Sequence, residues 1–196
     1  MEDQIPNNNS NLIKIKLREA LLLELKQSKY SYGCIMLYFK VYKSWWDKIQ
    51  NLINDDDVAK VNGVNGREKY NDAHVTILYG FHKNIDEEEL KNVVLELPVR
   101  DIEAKNISIF DGDEFDVIKF DISGSFLHTA NRKLKDFNHT NTFNKYTPHM
   151  TICYVKKGEG EKYVQKLNNS LSKMLKPSHF VYSKANGTKE IIKFNK

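Results

Sequence analysis

The string His74-Val75-Thr76 recurs as His149-Met150-Thr151, and isoleucine follows each copy within an apolar stretch that reads as a β-strand. Strand side chains alternate between faces. In each copy the imidazole and the hydroxyl therefore share a face, ~6.6 Å apart at about 3.3 Å per residue. Two such strands set side by side would present two histidines and two hydroxyls to one cleft.

The order of elements agrees. Gly33 to Val41 is apolar and aromatic and predicts a first strand, and Trp45, Trp46, Ile49, Leu52 and Ile53 predict a short helix with the tryptophans in the core. Asn54 to Ala73, with its acidic run Asp55-Asp56-Asp57 and with Gly63 and Gly66, reads as a mobile loop leading to the first motif strand. There Val75, Ile77 and Tyr79 are expected on the core face, opposite His74, Thr76 and Leu78. Asp86 caps a helix whose first turn is acidic and whose stripe is Leu90, Val93, Val94 and Leu97, ended by Pro98.

Strands around Ile102 to Phe110 and Phe115 to Ile122 flank the turn Asp111-Gly112-Asp113, and Phe126, Leu127, Ala130, Leu134 and Phe137 mark a helix. A polar loop from Asn138 to Lys145 precedes the second motif strand. Tyr163, Val164, Leu167, Leu171 and Leu175 then predict a helix stopped by Pro177, and strands around Phe180 and Ile191 close the chain across Asn186-Gly187. The two halves thus echo each other, with one motif strand apiece. Residues 31–196 read as one domain. Residues 1–10, ending Asn7-Asn8-Asn9-Ser10, read as a disordered tail, and residues 11–30 as a helical extension with Ile13, Leu17, Leu21 and Leu25 at four-residue spacing.

Composition narrows the function. A formal charge of +4 suits a small anionic ligand and falls short of the basic footprint of a protein gripping long nucleic acid. No apolar run is long enough to span a membrane, and the N-terminus is not a secretory signal, so a cytoplasmic protein is expected. The two cysteines, Cys34 and Cys153, sit in apolar strand-like segments and read as reduced residues of the core or the cleft floor.

Two histidines and two hydroxyls are sufficient to open a phosphodiester. Histidine titrates near neutrality, so one imidazole can take a proton from the attacking hydroxyl while the other gives one to the leaving oxygen. The threonine hydroxyls can hold the nonbridging oxygens. A metal centre is not expected. His149 and Cys153 on one strand would be ~13 Å apart, whereas zinc ligands approach within about 2.0–2.3 Å of the ion. His74 and His82 fail likewise unless the chain turns after Gly80, and no Cys-x-x-Cys, His-x-His or His-Glu-x-x-His pattern occurs. No Gly-x-Ser-x-Gly elbow supports a serine hydrolase. His82, His128, His139 and His179 lack a matching context and read as solvent-facing or loop residues.

On these residues the chain resembles the two-histidine phosphoesterases of LigT-like fold. The strings Gly33-Cys34-Ile35-Met36, Ala73-His74-Val75-Thr76-Ile77-Leu78-Tyr79-Gly80 and Pro148-His149-Met150-Thr151-Ile152-Cys153-Tyr154 are most similar to one branch. That branch is the phage anti-CBASS nucleases, which degrade the cyclic oligonucleotide messengers of bacterial immunity. The resemblance extends from about Gly33 onward, and the N-terminal extension departs from the family's compact pattern.

It implies an α+β fold of two lobes, with pseudo-twofold antiparallel sheets forming a central cleft and helices outside. It also implies catalytic roles for His74, Thr76, His149 and Thr151, no cofactor, and a cyclic di- or trinucleotide such as 3′,3′-cGAMP as substrate in the host cytoplasm. Aromatic and basic groups would hold the bases and second phosphate, for which Tyr38 and Lys40 on one face of the first strand are the candidates. The same four residues would also serve an RNA-end 2′,3′-cyclic phosphodiesterase, and a cyclic-nucleotide sponge without turnover is a third reading.

Overall fold

A computed structural model describes residues 32–140, 145–168 and 173–194. The tail expected over 1–10 and the helical extension expected over 11–30 lie outside the described residues. The elements run β1 (Gly33–Lys40), α1 (Lys43–Gln50), a small hairpin of β2 (Lys60–Val61) and β3 (Val64–Asn65), β4 (His74–Phe81), α2 (Glu87–Leu95), β5 (Ile102–Asp111), β6 (Phe115–Ser123), α3 (Ser125–Leu134), β7 (His149–Lys156), α4 (Glu161–Leu167), β8 (Lys173–Ser183) and β9 (Lys189–Ile192).

Apart from the small hairpin, the strands form one antiparallel sheet in the order β4-β1-β8-β5-β6-β7, with β9 also paired to β8. This order is symmetric about the β8–β5 junction. In sequence, β1-α1-β4-α2-β5 is echoed by β6-α3-β7-α4-β8. In space the third strand of each half is exchanged, so that β5 joins β6 and β8 joins β1. The motif strands β4 and β7 stand at the two ends of the path, and the sheet brings those ends together.

Burial explains why each segment takes its form. On β1 the core face is Ile35, Leu37 and Phe39, while Cys34 and Tyr38 are half-buried on the other face. Trp46 and Ile49 of α1, Leu90 and Val94 of α2, and Leu127, Ala130 and Leu134 of α3 supply the helical layer of a single apolar cluster that includes both sheet halves. Trp45 stacks on the buried Phe120, so both tryptophans serve packing as expected. Asp86 caps α2 by accepting from the backbone N–H of Glu88 and Glu89. Cys34 and Cys153 are free thiols, the latter buried. Among the described residues no helix is long and apolar enough to cross a membrane.

Three expectations are corrected. The helix α4 ends at Leu167, and Leu175 and Pro177 belong to β8; Leu171 lies outside the described residues. Four-residue leucine spacing imitated a helix there. Pro177 is tolerated in the strand because the β1 pairing shifts register beside it, between Tyr38 and Phe39. Asn54 to Ala73 is not a free loop. It pairs along the outer edge of β7 through Ala59 N–H to Tyr154 O, Tyr154 N–H to Gly66 O, and Glu68 N–H to Ile152 O.

The third correction concerns the motif strand itself. Its alternation breaks after Thr76: Leu78 is buried against the core and Tyr79 is exposed. The cause is a β-bulge. Ile35 pairs with Leu78 and Met36 with Thr76, leaving Ile77 as the extra residue.

Candidate active site

The same bulge occurs in β7, where Ile118 pairs with Cys153 and Lys119 with Thr151, leaving Ile152 as the extra residue. One inserted residue reverses the facing of everything after it. The residue two beyond each bulge is therefore turned back to the face of its threonine, and both are tyrosines: Tyr79, which lines the cleft described below, and Tyr154, which packs on Phe115. The shared pattern is His-x-Thr-x-x-Tyr, with the spacing identical in the two copies. Regular alternation assigned Tyr79 to the core, and the repeated tyrosine was the signal that could have corrected it.

Each motif histidine is held in one way. His74 Nδ1 lies 2.7 Å from the carbonyl of Asp72, and His149 Nδ1 lies 2.9 Å from the carbonyl of Thr147. A carbonyl only accepts, so Nδ1 carries the hydrogen in both rings and Nε2 is left to exchange protons. Burial pushes both histidines below their usual value. For His74 the bond to Asp72 O opposes this, while nearby Lys189 reinforces it. For His149 the bond to Thr147 O opposes it, and Lys119 and His74 reinforce it. The two rings are thus close enough for a charge on His74 to disfavour one on His149.

The halves differ in what flanks these rings. Tyr38 lies across from His74 on β1 and Met36 across from Thr76. At the equivalent places of the other half stand Asp121, across from His149, and Lys119, across from Thr151. Tyr38 is sandwiched between two imidazoles, with ring centroids 5.2 Å from His74 and 5.1 Å from His179. His179 is therefore a strand residue of β8 stacked beside the site rather than a solvent-facing or loop residue. His82 is also engaged, its Nε2 2.8 Å from the hydroxyl of Thr140, and His139 binds the carbonyl of Phe137 through Nδ1. His128 is exposed as expected.

Lys119 is 3% exposed, a position that strand alternation does not reveal. Its Nζ donates to Asp121 at 2.7 Å and to the Ser108 hydroxyl at 2.6 Å, and it sits 4.4 Å over the ring of Phe110. Phe110 in turn meets His149 edge to face at 4.6 Å. On the motif strands, the phenol of Tyr154 meets the hydroxyl of Thr151, and burial pushes its pKa up.

A cleft of about 720 Å³ opens beside Thr76 and His149 and runs along Cys34, Tyr79, Phe110 and Tyr146 toward Lys135 and Lys145. Of the four motif side chains only Thr76 and His149 line this cleft; His74 and Thr151 do not, nor do the two substrate-binding candidates, Tyr38 and Lys40, the latter exposed at the end of β1 and paired with Lys176. Among the described residues no three His, Cys, Asp or Glu side chains converge as a metal site.

No protein-family model matches the sequence, and no curated protein sequence matches it. The fold is similar to the structure of Kluyveromyces marxianus Usb1 with uridine monophosphate, at a TM-score of 0.54 and 10% identity over 84% of this chain and 99% of that one. A crystal structure described as a phosphoesterase is similar at a TM-score of 0.45 and 9% identity, over 83% and 96% of the two chains. The likeness to Usb1 establishes the fold: α+β, antiparallel and LigT-like.

Proposed function

We propose that this protein is a phosphodiesterase that works without a metal, using His74 and His149 as a general acid–base pair. The observation that carries this reading is the matched Nδ1-to-carbonyl bond in the two motif strands, which leaves two Nε2 atoms for proton transfer. One Nε2 takes the proton of a ribose 2′-hydroxyl or a water as it attacks phosphorus. The other gives a proton to the departing 5′-oxygen. The hydroxyls of Thr76 and Thr151 donate to the nonbridging oxygens as charge builds on them. When the 2′-hydroxyl attacks, the first product ends in a 2′,3′-cyclic phosphate.

The substrate in this reading is a cyclic di- or trinucleotide messenger such as 3′,3′-cGAMP. A phage product of this kind would act in the cytoplasm of its host to silence CBASS signalling. Support comes from the motif strings and from a cleft within the ~300–1,000 Å³ of small-molecule sites, walled by aromatic residues rather than opening as a long basic groove. A second reading, cleavage at RNA ends, draws on the fold shared with a protein whose structure contains uridine monophosphate.

The test is incubation with a panel of cyclic di- and trinucleotides and with short RNAs bearing 3′-terminal or 2′,3′-cyclic phosphate ends, each with and without EDTA, followed by product mass. Ring opening that is indifferent to EDTA is expected. Brisk trimming of RNA ends with intact cyclic dinucleotides moves the assignment to the second reading. Tight binding without turnover identifies a sponge, and turnover abolished by EDTA and restored by magnesium or manganese overturns the metal-free mechanism.

A further inference from the structure

The two bulges that shape the motif strands each expose a backbone carbonyl, and each carbonyl is met by a carboxamide from a helix. Asn131 of α3 donates from Nδ2 to Ile77 O at 2.7 Å. Gln50 of α1 donates from Nε2 to Ile152 O at 2.8 Å. Both side chains are buried, Asn131 at 6% exposure and Gln50 at 9%. The helices are crossed. The one that precedes the first motif in sequence holds the second motif, and the one that precedes the second motif holds the first.

We propose that Gln50 and Asn131 are reciprocal positioning residues, each carried by the helix of one half and fixing the bulge of the other half's motif strand. The large majority of buried polar side chains have their hydrogen bonds made. These two bond at the one extra residue that turns the strand between its threonine and its tyrosine. Ile77 adjoins Thr76 and precedes Tyr79 by two residues; Ile152 stands likewise to Thr151 and Tyr154. Movement of either bulge therefore moves a hydroxyl and a phenol together.

The mounts behind the two amides differ. Arg67 donates to Gln50 at Oε1 from 3.1 Å and to the Gln50 carbonyl from 2.7 Å, and it also binds Ile53 O and Asp55. Ile152 O takes a second bond from the Glu68 N–H. Gln50, which also donates to Glu68 O at 3.2 Å, is therefore one of two donors to its bulge, and replacing it is expected to displace that bulge less than replacing Asn131 displaces the other.

The experiment replaces the amides by apolar side chains of similar size, Gln50→Met and Asn131→Leu, and follows the imidazole and tyrosine-ring signals of the free protein by NMR. Gln50→Met is expected to shift the signals of His149 and Tyr154 and to leave those of His74 and Tyr79 in place. Asn131→Leu is expected to do the reverse. The kinetic counterpart rests on the proposed phosphodiesterase and is read in Gln50→Met, because Asn131 also lines the cleft: kcat falls by up to about 100-fold, as for a misplaced catalytic group, while KM stays within about twofold.

Thermal melts identify variants that fail to fold. For these, Gln50→Glu, which keeps an acceptor for Arg67 and loses the donor, and Asn131→Asp are used instead, with the same crossed pattern expected. Signals disturbed in the helix's own half, or equally in both halves, overturn the proposal. A wild-type protein without turnover overturns the phosphodiesterase reading, and the crossed NMR pattern then tests the bracing by itself.

Discussion

Tyr38 stacks on His74 with ring centroids 5.2 Å apart and planes 22° from parallel. The ring covers one face of the imidazole, and burial is the largest cause holding His74 below its usual value of 6.5. Removing the cover admits water and favours the imidazolium. Tyr38→Ala should raise the His74 pKa toward 6.5, read by NMR titration of the ring, and Tyr38→Phe should leave it in place. An unmoved His74 in Tyr38→Ala would mean that other neighbours set its burial.

The matched histidines make a direct prediction for catalysis. His74→Ala and His149→Ala should each lower kcat by about 100- to 10,000-fold, and the double variant should be little worse because the two act as a unit. Thr76→Ala and Thr151→Ala should cost about 10- to 1,000-fold, as for one lost oxyanion donor. Near-normal turnover in either histidine variant sinks the acid–base pair.

The pH dependence follows from the direction of the shifts. His74 and His149 both lie below 6.5, so the rate should trace a bell whose optimum falls on the acid side of 6.5. Above it the acid form is lost, and below it the base is protonated. Stability carries the opposite slope. The unfolded histidines titrate near 6.5 and the native ones lower, so the unfolded chain binds the extra protons between those values. The stability held by the neutral rings is complete above 6.5 and declines as the pH falls toward the native values. Tm measured from about pH 7.5 down to 5.5 should drop, and the drop should shrink in His74→Ala. A flat Tm across that window contradicts the burial of the rings.

Much of this molecule was legible because its repeat is local. His-x-Thr inside apolar alternation fixes a strand and a facing, and Asp86 before three glutamates fixes a helix start. What stayed hidden depends on distant backbone. Ile77 and Ile152 become bulges only through their partners on β1 and β6, so Tyr79 could not be placed from its own strand. Lys119 resembles any exposed strand lysine until Ser108 and Asp121 surround its ammonium. The segment from Val58 to Glu68 lacks a strand pattern because it bonds to β7 through its backbone, which any side chain can serve.

That segment supplies the last prediction, through two glycines with different reasons to be glycine. Gly66 donates to Ala59 O and accepts from Tyr154 N–H, both at 2.9 Å. A Cβ there would stand 2.7 Å from both Ala59 O and Tyr154 O, closer than backbone oxygens can yield without moving the chain. Gly63 has φ +80 in the hairpin turn and open space around it, so alanine there meets only backbone strain, about 1–2 kcal/mol. Gly66→Ala should cost more, toward the ~3 kcal/mol upper end of overpacking, and should lower Tm by several degrees. Because the displaced oxygen belongs to Tyr154, Gly66→Ala should also reduce kcat at temperatures where the protein stays folded. Gly63→Ala should leave kcat unchanged. Equal kcat in the two variants would detach the segment from the site and leave it a cover for the edge of β7.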